Sequence, residues 1–128
     1  MEIRFLSVED VLVLHRESIV QEGGSHGVRD IGLLDSAVAM PQQQFGGQYL
    51  HEDIPAMAAA YLFHISSNHP FVDGNKRAGT LAAMVFLEEN GVSVTIAVKE
   101  FEETVLRVAR GDMGKDELTE WFREKLGT

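Results

Sequence analysis

HPFVDGNKRAGTLAAMVFLEEN, residues 69–90, decides the fold. In its second part Ala78, Leu81, Ala82, Val85, Phe86 and Glu89 recur at the i, i+3, i+4 spacing of one helical face. Ala83, Met84 and Leu87 add apolar surface on the other faces. The spacing predicts a helix over about 75–90, nearly all buried, which Gly91 ends. Upstream, Asp53 is placed to cap another helix, with Pro55 in its first turn and Ala56, Ala59, Ala60, Leu62 and Phe63 leading to about Asn68. Two buried helices joined by a short polar loop make a helical core.

Working outward, Ser7 with Asp10 forms a capping-box pattern before Val8, Val11, Leu12 and Ile19, a face that also carries His15; Gly23-Gly24 stops this helix. A short helix is expected from near Asp30 through Leu33, Leu34, Ala37 and Val38 to Pro41. Residues 41–51, PQQQFGGQYLH, break the pattern with proline, paired glycines and two aromatics, and read as a loop or small hairpin. Val92–Ala97 alternates weakly, as a short strand or extended connector would. Two amphipathic helices follow, one carrying Phe101, Val105 and Val108 and ending at Gly111, the other carrying Leu118, Trp121, Phe122 and Lys125 and ending at Gly127. The expectation is an all-α fold of about six helices with a small β-hairpin, one domain over residues 1–128.

Bulk composition narrows the function. Apolar residues make up 45% of the chain and charged residues 24%, ordinary globular usage. There is no cysteine, so disulfides and thiolate metal sites are excluded, and a reducing cytoplasmic setting is consistent. The first residues, Met1-Glu2-Ile3-Arg4, show no secretory signal, and no apolar run suits a membrane span. A net charge of −9 argues against a general nucleic-acid binder, which needs a basic face. It leaves room for a nucleotide site, since Lys76-Arg77 is enough local charge for a phosphate chain.

The chemistry is concentrated in residues 69–77. A helix N-terminus offers unpaired N–H groups and the positive end of its dipole. Gly74 permits close backbone approach, Asn75 can cap the helix or contact phosphate, and Lys76 and Arg77 add positive charge. Asp73 is a hard oxygen ligand suited to magnesium, which commonly takes one carboxylate plus substrate phosphates. His69 has an unperturbed pKa near neutrality and suits a general base. Each feature alone is commonplace: a structural histidine, a turn, a cap, a solvated charged face. Together they supply every part needed for phosphoryl or nucleotidyl transfer.

HPFVDGNKR resembles the signature of the Fic/Doc family: His-Pro-Phe, a variable residue, Asp or Glu, Gly-Asn, one further residue and Arg. GVRDIGLLDSAV at 27–38, the PQQQFGG segment and VFLEENG at 85–91 are similar to the Doc (death on curing) branch, so the likeness runs from about Phe5 to Leu126. It implies that His69 deprotonates the target hydroxyl, that Asp73 holds Mg2+, that Gly74, Asn75, Lys76 and Arg77 bind phosphates, and that residues 41–51 form a flap positioning the target. Lys76 replaces the glycine usual in AMP-transferring members. Doc-type members share this lysine and act as kinases, the nucleotide being reversed so that ATP offers its γ-phosphate. The Doc pattern has alanine where this chain has Gly74, which leaves the transferred group open between phosphate and AMP. By the same resemblance the target is a threonine of elongation factor Tu, so that translation stops, and the partner is a Phd-like antitoxin whose C-terminal segment folds against the toxin.

Ser18-Ile19-Val20-Gln21-Glu22-Gly23 also fits the family's inhibitory signature, in which the glutamate pairs with the motif arginine. A helix C-terminus with a solvated Glu22 fits equally. Two readings from other classes remain: a metal-dependent hydrolase built on His51, His64, His69 and Asp73, although their spacing matches no helical zinc pattern, and a binding module that has lost activity.

Overall fold

The structure, a computed structural model, describes residues 2–127. Helix α1 (Val8–Glu22) opens on the capping box: Ser7 Oγ accepts from the Asp10 amide at 3.1 Å, and the Asp10 carboxylate accepts from the Ser7 amide at 2.9 Å. Two donors that the first turn leaves unpaired are thereby satisfied. α2 (Ile31–Ala39) is capped by Asp30, whose Oδ1 accepts from Leu33 N at 3.0 Å, and it tightens into a 3-10 turn at Met40–Gln42. Strands β1 (Gln44–Phe45) and β2 (Gln48–Tyr49) pair antiparallel, Gln44 opposite Tyr49. Gly46 and Gly47 form the hairpin tip with φ of 59° and 80°, a two-residue turn that L side chains resist. α3 (Ile54–Asn68) starts on Asp53, which accepts from Ala56 N at 2.9 Å, with Pro55 in the first turn where its missing N–H costs nothing. α4 (Asn75–Glu89), α5 (Val98–Ala109) and α6 (Lys115–Leu126) complete the chain.

α3 is the axle of the molecule. Ten of its residues are buried, and α2, α4, α5 and α6 all pack on it. The α3–α4 crossing is close because Gly79 faces α3: a Cβ there would lie 2.7 Å from Ser66 Oγ and 3.1 Å from the Leu62 carbonyl oxygen. Around the crossing Leu34, Met57, Tyr61, Leu62, Ile65, Phe86, Leu87 and Phe122 form the core. Tyr61 Oη accepts from Leu6 N at 2.9 Å and ties the N-terminal segment down; burial pushes its pKa up to about 12, so the phenol stays neutral.

One sequence expectation is corrected, and one pair of alternatives is resolved. α4 is not nearly all buried: Thr80, Leu81 and Met84 are only half-covered, because they line a groove between α1, α4 and α5, and Val85 is half-covered beside Arg4. Val92–Ala97 is an extended connector and not a strand. Its alternation is genuine, with Val92, Val94 and Ile96 packed on the core and Ser93, Thr95 and Ala97 exposed, but it has no strand partner among the described residues. The hairpin and the helix order agree with the sequence reading. No helix is long and apolar enough to cross a membrane among the described residues.

Candidate active site

His69 is the C-cap of α3 and turns the chain toward α4. Its φ of 51° and ψ of 55° are left-handed, and it is the sole non-glycine residue with positive φ among those described. For an L residue this costs about 1–2 kcal/mol, so the surroundings must hold it. They do: Arg29 Nε donates to the His69 carbonyl at 2.7 Å and Arg29 Nη2 to the Asn68 carbonyl at 3.0 Å. The Arg29 and Asp30 amides both donate to the Pro70 carbonyl, at 2.7 and 3.0 Å, and Val72 N donates to Gly27 O at 3.1 Å. Segment 27–30 thus runs antiparallel beside the motif, with Val28 bridged to Phe71. The His69 side chain is exposed, and among the described residues its imidazole makes no hydrogen bond.

The loop beyond is fixed from below. Phe71 is 1% exposed and stacks flat on His15, ring centroids 3.7 Å apart and planes within 5°. His15 Nε2 donates to the Asp73 carbonyl at 2.7 Å, so the ring carries its proton at Nε2. Burial lowers the His15 pKa, against the opposing pull of that carbonyl, and keeps the ring neutral. Asp73 is exposed. Its Oδ2 accepts from Ser25 N at 3.1 Å and its Oδ1 from Gly74 N at 2.8 Å, and these two N–H groups hold its pKa below the usual carboxylate value. Gly74, with φ 77°, is the N-cap of α4. Asn75 is therefore the first helical residue and not a cap. Its amide holds the loop, Oδ1 accepting from Phe71 N at 2.9 Å and Nδ2 donating to Phe71 O at 3.1 Å.

Lys76 is exposed, and Arg77 Nη1 reaches Ser18 O and Glu22 Oε2, both at 3.4 Å. Asp73 and Arg77 converge on Gly24: a Cβ there would meet Asp73 Oδ2 at 2.7 Å and Arg77 Nη2 at 2.9 Å, so only glycine lets the turn after α1 pass this close. Lys76 and Arg77 stand at one end of the groove between α1, α4 and α5, about 710 Å³, whose floor is Leu81, Met84, Ile96, Phe101 and Val105.

The four-residue metal cluster of the hydrolase reading does not assemble. His51 Nε2 and His64 Nε2 instead accept from one ammonium, Lys115 Nζ, at 3.0 and 3.2 Å. No group of three or more ligating side chains gathers among the described residues. Magnesium needs no such group, since one carboxylate with substrate phosphates suffices, and Asp73 fits: it is ionised and exposed, and each oxygen is engaged by a single N–H. Sequence reading brought His69, Asp73, Gly74, Asn75, Lys76 and Arg77 to one turn. It missed His15, Gly24 and Arg29. His15 read as an interior residue, and nothing in chain order links it to Asp73, 58 positions away.

A His-Pro-Phe…Asp-Gly-Asn-Lys-Arg turn that runs from an exposed histidine at the C-cap of one helix to the glycine-capped N-terminus of the next defines a Fic-type architecture. The sequence profile of the Fic/DOC family matches residues 5–87, and the chain belongs to that family. Within it the likeness is to the Doc branch. The chain is 39% identical over 116 residues to the "Toxin Doc" of Mycolicibacterium smegmatis, spanning 89% of this chain and 87% of that one. It is 27% identical over 126 residues to the "Protein kinase doc" of Escherichia phage P1, spanning 98% of each.

Proposed function

We propose that this protein is the toxin of a toxin–antitoxin pair and that it transfers the γ-phosphate of ATP to a serine or threonine hydroxyl of a protein, elongation factor Tu by analogy. The observation that carries the reading is the exposed His69 side chain, without a hydrogen bond among the described residues, on the turn that leads into α4, where the Gly74 cap makes no side-chain hydrogen bond to the first turn of the helix. In this reading His69 takes the proton of the target hydroxyl, the oxygen attacks the γ-phosphorus, and ADP leaves. Gly74 lets the phosphate chain approach the backbone. Lys76 and Arg77 neutralise its charge. Asp73 would hold Mg2+, which would supply charge neutralisation for the phosphates. Asn75 contributes by keeping the turn in shape. The β1–β2 hairpin would align the target segment.

The groove between α1, α4 and α5 supports an antitoxin as partner. Its apolar floor suits one face of an amphipathic helix, and Glu17, Glu22 and Glu102 on its rim suit basic residues flanking that face. A Phd-like C-terminal segment lying there would cover Lys76 and Arg77.

The test is incubation with magnesium, elongation factor Tu and ATP labelled at the α or the γ position. Transfer of γ label only is expected. Label from the α position would convert the reading to AMP transfer. No label on any protein of a whole lysate, with His69→Ala equally silent, would leave a binding module.

A further inference from the structure

Arg29 has no part in the chemistry above, yet it alone engages three consecutive carbonyls where α3 ends and the motif begins. Its side chain takes Asn68 O and His69 O, and its amide takes Pro70 O. The first two lie at the C-terminus of α3, where the helix dipole is negative and a cation is favoured. A planar guanidinium can present two N–H groups to two fixed acceptors, which an ammonium cannot do in the same geometry. Among the described residues it forms no ion pair, although the chain carries 20 acidic residues against 11 basic.

The need for such a clamp follows from His69. A left-handed C-cap is normally glycine. Glycine would accept these dihedrals freely but would bring no imidazole. A histidine at this position has the ring but prefers other backbone wells, and each well would point the ring elsewhere. We propose that Arg29 is a positioning residue for His69, holding the motif backbone in its left-handed turn so that the imidazole faces the α4 N-terminus. This rests on the reading of His69 as the base. Arg29 touches no reacting atom and acts through the carbonyls alone.

The prediction separates it from a residue needed only for folding. Arg29 is exposed, so its loss frees two carbonyls to water and does not open the core. Arg29→Ala is expected to lower kcat by about 10²-fold, the order that misplacing a reacting group costs. KM for ATP should stay within about twofold, because the phosphate-binding groups are untouched. Arg29→Lys, able to serve one carbonyl, should recover part of kcat, and Arg29→Gln should fall between Ala and Lys. A second readout needs no catalysis: in the free protein the His69 ring proton resonances, recorded through a pH titration, should shift or broaden in Arg29→Ala while those of His51 and His64 stay in place. Wild-type kcat in Arg29→Ala, or His69 resonances identical to wild type, overturns the proposal. So does a loss of kcat with no return in Arg29→Lys. Should Arg29→Ala not fold at the assay temperature, Arg29→Lys and Arg29→Gln carry both readouts. Activity surviving in His69→Ala would remove the base assignment instead, and the ring resonances would still decide whether Arg29 orients this side chain.

Discussion

Four of the five histidines lie in two regions of the molecule, His51 with His64 and His15 with His69, and the rings are treated differently in the two. His51 and His64 both hand their Nε2 lone pairs to Lys115 on the side of α3 that meets α6. Both rings must be neutral, and burial foremost, with Lys115 next, drives the pKa of His64 down to about 4 and lowers that of His51. In the other pair, His15 is locked between the Phe71 ring and the Asp73 carbonyl, whereas His69 is fixed only through its backbone and its ring is free. Each of the three structural histidines commits its Nε2 to a neighbour. His69, the base of the proposed function, has its main chain secured and its ring without a hydrogen bond among the described residues.

The strongest way to sharpen this contrast is His69→Ala. Removing a general base costs typically about 10²–10⁴-fold in rate, and the melting temperature should hardly change because His69 is exposed and its ring makes no hydrogen bond among the described residues. A large drop in melting temperature in a kinase assay with parallel calorimetry would place His69 with the structural pair. Next comes His15→Leu, which keeps bulk against Phe71 but deletes the hydrogen bond to the Asp73 carbonyl. We expect a loss of about 1–2 kcal/mol of stability by chemical denaturation and weaker ATP binding by titration calorimetry. Unchanged ATP affinity would show that His15 supports the core alone.

The His51–His64 pair predicts a pH effect. The unfolded chain takes up a proton near pH 6.5, while folded His64 resists until about 4. Between these values the unfolded state binds more protons, so stability is full above about 6.5 and declines as pH falls toward 4. Denaturation midpoints across that window should decline in wild type and flatten in His64→Gln. The smallest effect is expected at Glu22→Gly. The Arg77–Glu22 pair is 3.4 Å long, and the glutamate side chain is 62% exposed. Such pairs are worth at most about 1 kcal/mol, so releasing Arg77 should raise nucleotide affinity by no more than about fivefold. A gain of a hundredfold would mean that Glu22 is a true brake of the kind the Ser18–Gly23 signature implies.

What could be read from the sequence was whatever depends on near neighbours. Ser7 with Asp10, Asp53 with Pro55, and the glycines after α1 and α6 set helix ends by local hydrogen bonding and backbone freedom, and all act as read. The motif turn was legible because its parts lie within nine consecutive positions. Exposure of Leu81 and Met84 was not, since it depends on how far α5 stands from α4. Asn75 looked like a cap because Asn often is one, but the cap position went to Gly74, whose φ of 77° no side chain favours. Arg29 and His15 act across 40 and 58 positions, and one sequence carries no sign of such pairings.

The short turn between α3 and α4 has a consequence for how the chain assembles. Closing so few residues is entropically cheap, and helix pairs joined this way form early in folding. The N-terminal end of α4 should therefore exist while segment 27–30 is still loose, and the His69 turn should be fixed only when that segment docks. Pulse-labelled hydrogen exchange during refolding would then protect the Ala78 amide, bonded to Gly74 O, before the Arg29 and Val72 amides; the reverse order would refute it. The newborn protein would thus carry a formed helix end before it is competent, with harmlessness lasting until segment 27–30 has docked.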